Sequence, residues 1–131
     1  TFHVNSMGQV AAQAAFSGAC DDWLEAVLAY ITANRDFVVD YVGAHMPEMR
    51  QTVQDATYLS WLDCNPLLES GTIPDNPYEF FLNEAKVALN NGADFGPGGE
   101  GFVRLNLACP RSTLEEALER MKQAIYANEP V

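Results

Sequence analysis

Asp94-Phe95-Gly96-Pro97-Gly98-Gly99-Glu100-Gly101-Phe102-Val103-Arg104-Leu105-Asn106-Leu107-Ala108-Cys109-Pro110-Arg111 is a glycine-rich loop running into an apolar strand that holds a single charge. Side chains alternate across a strand, so Val103, Leu105, Leu107 and Cys109 share one face. Phe102, Arg104, Asn106 and Ala108 share the other. The first is a core face. The second is unusual, because a strand of this kind rarely carries arginine unless the guanidinium meets a carboxylate. That carboxylate belongs either to a ligand or to one of the chain's own eighteen acidic residues, and the pattern alone leaves both open. Arg104 is the first candidate for a functional residue. Asn106 is a second: it either orients Arg104 or bonds the neighbouring loop, and the loop is favoured.

Working outward, Ser112-Thr113-Leu114-Glu115 reads as a capping box that opens a final helix with Leu114, Ala117, Leu118, Met121 and Ile125 inward. Upstream, Thr57 to Cys64 is rich in β-branched and aromatic residues and predicts a strand. Asn65 through Pro77 predicts a loop. Asn76-Pro77-Tyr78-Glu79 then supplies an N-cap, a proline at the first helical position and a glutamate at the third. The helix that follows should bury Tyr78, Phe81, Leu82, Ala85, Ala88 and Leu89 and end at Asn90-Asn91-Gly92. A short strand over residues 93–95 leads into the glycine loop. The predicted fold class is α+β: a mainly antiparallel sheet with helices packed on one face, its other face turned toward a cleft.

The first third is helical. Asn5 or Ser6 caps a short alanine-rich helix through Phe16, stopped by Gly18. Asp22 with Glu25 predicts a second capping box and a long helix to about Val42, ended by Gly43 and Pro47. One stripe of that helix is Leu24, Val27, Leu28, Ile31, Val38 and Val42. Beside it lie Trp23, Ala26, Tyr30, Ala33, Phe37 and Tyr41, making an apolar face wider than a surface helix needs. The expected organisation is therefore 1–46, N-terminal helices including this long one, and 47–131, the α+β part.

Composition narrows the classes of function. A length of 131 residues suits one domain with a real core, and 48% apolar residues excludes a disordered chain. A net charge of −11 with no basic cluster argues against nucleic acid or an anionic membrane as partner. No apolar run reaches the length of a bilayer span. The opening residues lack the features of a signal peptide, and Thr1 in place of methionine suggests a chain that begins mid-protein. Cys20, Cys64 and Cys109 are widely spaced, and neither His3 nor His45 stands at ligand spacing from one, so no metal site is expected. The cysteines read as reduced, buried and structural, which predicts a cytoplasmic protein.

Residues 96–111 resemble the C-terminal signature of fold-type-I pyridoxal-phosphate enzymes, relatives of the class I/II aminotransferases. The closest resemblance is to the MalY/PatB-type C–S lyase (cystathionine β-lyase) branch. It extends to Thr57-Tyr58-Leu59-Ser60-Trp61-Leu62-Asp63-Cys64 and to Trp23-Leu24 through Asn34-Arg35-Asp36-Phe37, so that residues from about 8 to 125 run in the family's order. The resemblance implies the small domain of such an enzyme, preceded by a long interdomain helix. It gives Arg104 the role of holding the substrate α-carboxylate, which fixes the orientation of the bonds at Cα. The implied parent needs pyridoxal 5'-phosphate, a large cofactor-binding domain in the same chain, an amino-acid substrate and a homodimer. It would convert cystathionine or cysteine to pyruvate, ammonia and a thiol.

The cofactor also needs an amine. Lys86 and Lys122 are the only lysines; both read as solvent-facing on amphipathic helices, and neither has the serine-x-x-lysine-like context of the family. This fragment alone is therefore expected to bind no cofactor, to contain no catalytic residue and to be inactive. The competing readings are the same domain of a class I/II aminotransferase, and a stand-alone binding module that takes carboxylates or a partner protein on the Arg104 face. Of the other polar and aromatic residues, Gly96, Gly98, Gly99 and Gly101 suit a permissive turn better than a phosphate cradle. Arg111 is expected in a surface or interdomain contact. Tyr58 and Trp61 are expected to pack, and the two histidines to lie on the surface.

Overall fold

A computed structural model of the chain describes residues 5–127. His3 lies outside them. The described residues fall into two compact units, one up to Thr32 and one from Ala33, a division inside the long helix.

The first unit holds α1 (Ser6–Ala15) and the start of α2 (Asp21–His45). The Asn5 side chain caps α1 by accepting from the Gly8 amide at 2.7 Å. Gly18 turns the chain with φ +81°, a left-handed value that glycine adopts without strain. The long helix differs from expectation at both ends. It begins at Asp21, which puts Asp22 in its first turn rather than at a cap, and it runs through Gly43 to His45. A single glycine costs a helix only about 1 kcal/mol, less than the buried Val42 and Met46 on either side return. Trp23, Leu24, Leu28 and Tyr30 are exposed.

The second unit is an α+β layer structure. Four antiparallel strands, β1 (Arg50–Gln51), β2 (Leu59–Asp63), β3 (Asn90–Asn91) and β4 (Phe102–Asn106), lie in the order β1-β2-β4-β3. One face carries Leu62, Val103 and Leu105, and Leu107 continues it beyond the end of β4, all buried. These residues form one core with Val38 and Val42 from the second half of α2 and Met46 just beyond it. Leu114, Leu118, Met121 and Ile125 from α5 (Arg111–Tyr126) complete it. The alternation expected for β4 is the alternation seen.

Four local expectations are corrected. Residues 65–69 form a short helix, α3 (Asn65–Glu69), instead of a loop, because Pro66 pre-sets the first turn and Asp63 Oδ1 accepts from the Asn65 amide at 2.9 Å. The helix capped by Asn76 is short: α4 (Pro77–Phe80) passes into a π-helical turn, Phe81–Ala85, and stops where Lys86 turns left-handed at φ 57°. The Val87 amide closes that turn on Phe81 O at 3.0 Å. Residues 87–91 are consequently extended, with Val87 and Leu89 buried and Ala88 and Leu82 exposed. The strand expected over 93–95 lies earlier, as β3, and Gly92–Phe95 is a 3₁₀ turn. Finally α5 starts at Arg111 behind Pro110, with no side-chain cap from Ser112 or Thr113.

Candidate functional site

The sheet has one open face, and its register assembles it. Arg104 on β4 pairs with Trp61 on β2 and with Asn90 on β3, so these three residues form a row across the sheet. Trp61 stacks on Phe102 with ring centres 5.5 Å apart and meets the edge of Phe95 at 5.6 Å. The Arg104 guanidinium lies over the Phe95 ring, 4.3 Å from its centre. Asn90 Oδ1 accepts from Arg104 Nε at 3.3 Å and from Nη2 at 3.1 Å. Among the described residues no carboxylate pairs with Arg104; the ion pairs are Arg35–Asp36, Arg120–Glu116 and Lys122–Glu119. A half-buried guanidinium held by an aromatic ring and a neutral amide keeps its charge available to a carboxylate from outside.

The glycine loop supports this face through close backbone packing. A Cβ on Gly99 would collide with the Gly92 carbonyl, and one on Gly92 would collide with the Gly99 carbonyl. The two segments flanking Phe95 therefore touch backbone to backbone, which sets the ring beneath Arg104. Asn106 is exposed and its Oδ1 accepts from the Ala108 amide at 2.8 Å, a local turn at the strand end. The row across the sheet holds Trp61, Arg104 and Asn90, and Asn106 stands outside it.

A second polar node lies behind the end of β4. Asn34, fully buried, donates through Nδ2 to Leu107 O at 2.9 Å and to Cys109 O at 3.0 Å. Its Oδ1 accepts from Arg111 Nε at 2.9 Å, while Arg111 Nη2 donates to Ala33 O at 2.7 Å. The guanidinium also covers the Phe37 ring at 4.2 Å. Arg111, half-buried, thus ties the second half of α2 to the start of α5. Asn34 falls at the spacing of the apolar stripe between Ile31 and Val38, and a polar residue there was the signal that it is buried for a reason.

Asn90 and Phe95 were not legible as site residues, since one read as a helix end and the other as strand. Trp61 and Tyr58 do different things: Trp61 packs, and Tyr58 is exposed. His45 is exposed with its ring 4.5 Å from Tyr41. Cys64 is buried and Cys109 half-buried, but Cys20 is exposed, against the expectation for all three; they are free thiols. Burial pushes the Cys64 thiol up to about 12, with the nearby Asp63 charge adding to it.

Lys122 Nζ is held by Glu119 at 2.6 Å, and Lys86 lines an open groove of about 900 Å³ with Asp75, Glu79, Glu84 and Arg120. Groups of three or more metal-ligating side chains are missing among the described residues. No helix there is long and apolar enough to cross a membrane.

Comparison with known proteins places this geometry. The chain is 39% identical over 106 residues to the Escherichia coli (strain K12) protein MalY, covering 80% of the chain and 26% of MalY. It is 34% identical over 122 residues to the Bacillus subtilis (strain 168) cystathionine beta-lyase PatB, covering 93% of the chain and 30% of PatB. Superposed on the pyridoxal-phosphate-bound C–S lyase of Staphylococcus hominis it gives a TM-score of 0.86 at 28% identity, over 96% of the chain and 33% of the lyase. The chain belongs to the MalY/PatB branch of fold-type-I pyridoxal-phosphate enzymes. Its fold is the α+β small domain of that family. No family model matches it. This MalY/PatB-branch chain spans between a quarter and a third of the length of the relatives it matches.

Proposed function

We propose that this chain supplies the substrate-carboxylate anchor of a C–S β-lyase, with Arg104 as the anchor. The observation that carries the proposal is the guanidinium on the open sheet face, held by Asn90 and Phe95 and paired with no carboxylate among the described residues. In this reading the rest of the active site, pyridoxal phosphate included, sits on a larger domain of the same polypeptide. That domain covers the exposed Trp23, Leu24, Leu28 and Tyr30, and the parent enzyme is a cytoplasmic homodimer. Cystathionine or cysteine would be converted to pyruvate, ammonia and a thiol.

Pyridoxal phosphate would supply the electron sink for the reaction. The chain's own contribution is to bind and orient. Two parallel N–H···O bonds from Arg104 hold the α-carboxylate in one plane, which sets how the substituents on Cα are presented. The half-buried Trp61 and Phe102 rings and the exposed Phe95 ring flank it, and once covered by the larger domain they would exclude water and strengthen those bonds. The test is made on the native gene product in its source cells. Its intact mass should exceed that of this chain, it should absorb in the visible as a pyridoxal Schiff base does, and it should release pyruvate from cystathionine. Arg104→Ala should lower kcat/KM by at least about 100-fold, the loss expected for two charge-assisted hydrogen bonds. A native product of this length with no chromophore and no pyruvate release refutes the proposal.

A further inference from the structure

The guanidinium of Arg104 has two edges that can each grip a planar acceptor, one made by Nε and Nη2 and the other by Nη1 and Nη2. Asn90 Oδ1 occupies the first, at 3.3 and 3.1 Å. Phe95 covers one face of the plane at 4.3 Å. Rotation of the guanidinium is thereby blocked by an in-plane contact and an out-of-plane contact together, and the second edge remains.

The neutrality of the acceptor matters as much as its place. A carboxylate opposite Arg104 on β3 would grip the same edge more strongly and cancel the charge. Of the acids on the flanking segments, Asp63 Oδ1 accepts from the Asn65 amide and from Asn65 Nδ2 at 2.8 Å, Glu100 Oε2 accepts from the Gly98 amide at 2.9 Å, and exposed Asp94 forms no ion pair with Arg104. We infer that Asn90 is a positioning residue that fixes Arg104 through one edge without neutralising it, presenting the other edge to a monocarboxylate ligand. The inference rests on the proposed role of Arg104 and adds the reason for an amide at position 90. An asparagine that merely stabilised the strand pair would tolerate aspartate, which has the same shape and a stronger bond to arginine.

The experiment follows the arginine Nε–H resonances of the 131-residue chain by NMR during titration with sodium acetate, at ionic strength held constant with sodium chloride. The wild-type chain should show a saturable shift at Arg104. Asn90→Asp should keep a sharp Arg104 Nε–H signal but bind acetate at least about tenfold more weakly, from the added like charge beside the ligand. Asn90→Ala should broaden that signal and weaken binding severalfold. Wild-type affinity in Asn90→Asp overturns the inference, as does an unchanged signal and affinity in Asn90→Ala should the aspartate variant fail to fold. Arg104→Ala separates the two levels: saturable acetate binding that survives it refutes the anchor itself, whereas binding lost in Arg104→Ala but kept in Asn90→Asp refutes only the role of Asn90.

Discussion

Replacing Asn34 with alanine removes three hydrogen bonds at once. Two run from Nδ2 to Leu107 O and Cys109 O, and one comes from Arg111 Nε, all between 2.9 and 3.0 Å. At about 1 kcal/mol net each they account for ~3 kcal/mol, and a carbonyl left buried without a donor adds about 1 more. The expected loss is therefore about 4 kcal/mol, a large fraction of the roughly 5–15 kcal/mol that holds a domain of this size together. Urea unfolding followed by far-ultraviolet circular dichroism measures it, with an unchanged m-value showing that the same surface is still exposed.

The Arg111 partner sharpens the test. Arg111→Ala leaves Asn34 both of its carbonyl partners but removes the bonds to Asn34 Oδ1 and Ala33 O and the cover of Phe37, so its cost should be comparable to that of Asn34→Ala. The double variant should cost less than the sum of the singles, with a coupling of at least about 1 kcal/mol, because the two share a bond in one network. A loss below about 1.5 kcal/mol for Asn34→Ala, or strict additivity with Arg111→Ala, would show that the node is no more than a surface contact.

Other outcomes follow from the same contacts. Hydrogen bonds from Lys122, then Tyr41 and Gln123, hold the Glu119 carboxyl down from its ordinary value of 4.5 to about 2. A depressed carboxyl adds stability that is complete above its unfolded value and fades as pH falls through the folded one. Stability should thus decline between about pH 4.5 and 2, and Glu119→Gln should flatten that part of the denaturation profile. In thiol labelling followed by mass spectrometry, exposed Cys20 should react first, half-buried Cys109 slowly, and Cys64 only on unfolding; early labelling of Cys64 would contradict its burial. Gly99→Ala must push the Gly92 backbone away and should cost at least about 2 kcal/mol, by urea melts, as overpacking against rigid backbone does.

Much of the fold is readable because its causes are local. Caps at Asn5 and Asn76, the alternation of β4 and the stripe of α5 all depend on residues within one or two turns of each other. The misreadings share a physical origin as well. Ala85 through Asn91 carry an apolar pattern that suits a helix up to Ala85 and a strand after Lys86, and the left-handed turn at Lys86 that separates them is unusual for lysine. Ser112 and Thr113 have capping chemistry, but the cap position is Pro110 and the helix starts at Arg111, ahead of both. Arg111 looked like a surface charge because its partners stand 77 and 78 positions away, at Asn34 and Ala33.

The amino-acid sequence by itself determined that β4 has a core face and a face bearing Arg104, because alternation is a property of the chain alone. It also carried the family's motifs in order. Only the tertiary structure decided what surrounds that arginine. Strand register set Trp61 and Asn90 on either side of it, and the contact between Gly92 and Gly99 brought Phe95 beneath it. Register and close approach arise from pairing segments distant in sequence, and no local pattern encodes which neutral amide will face a given guanidinium.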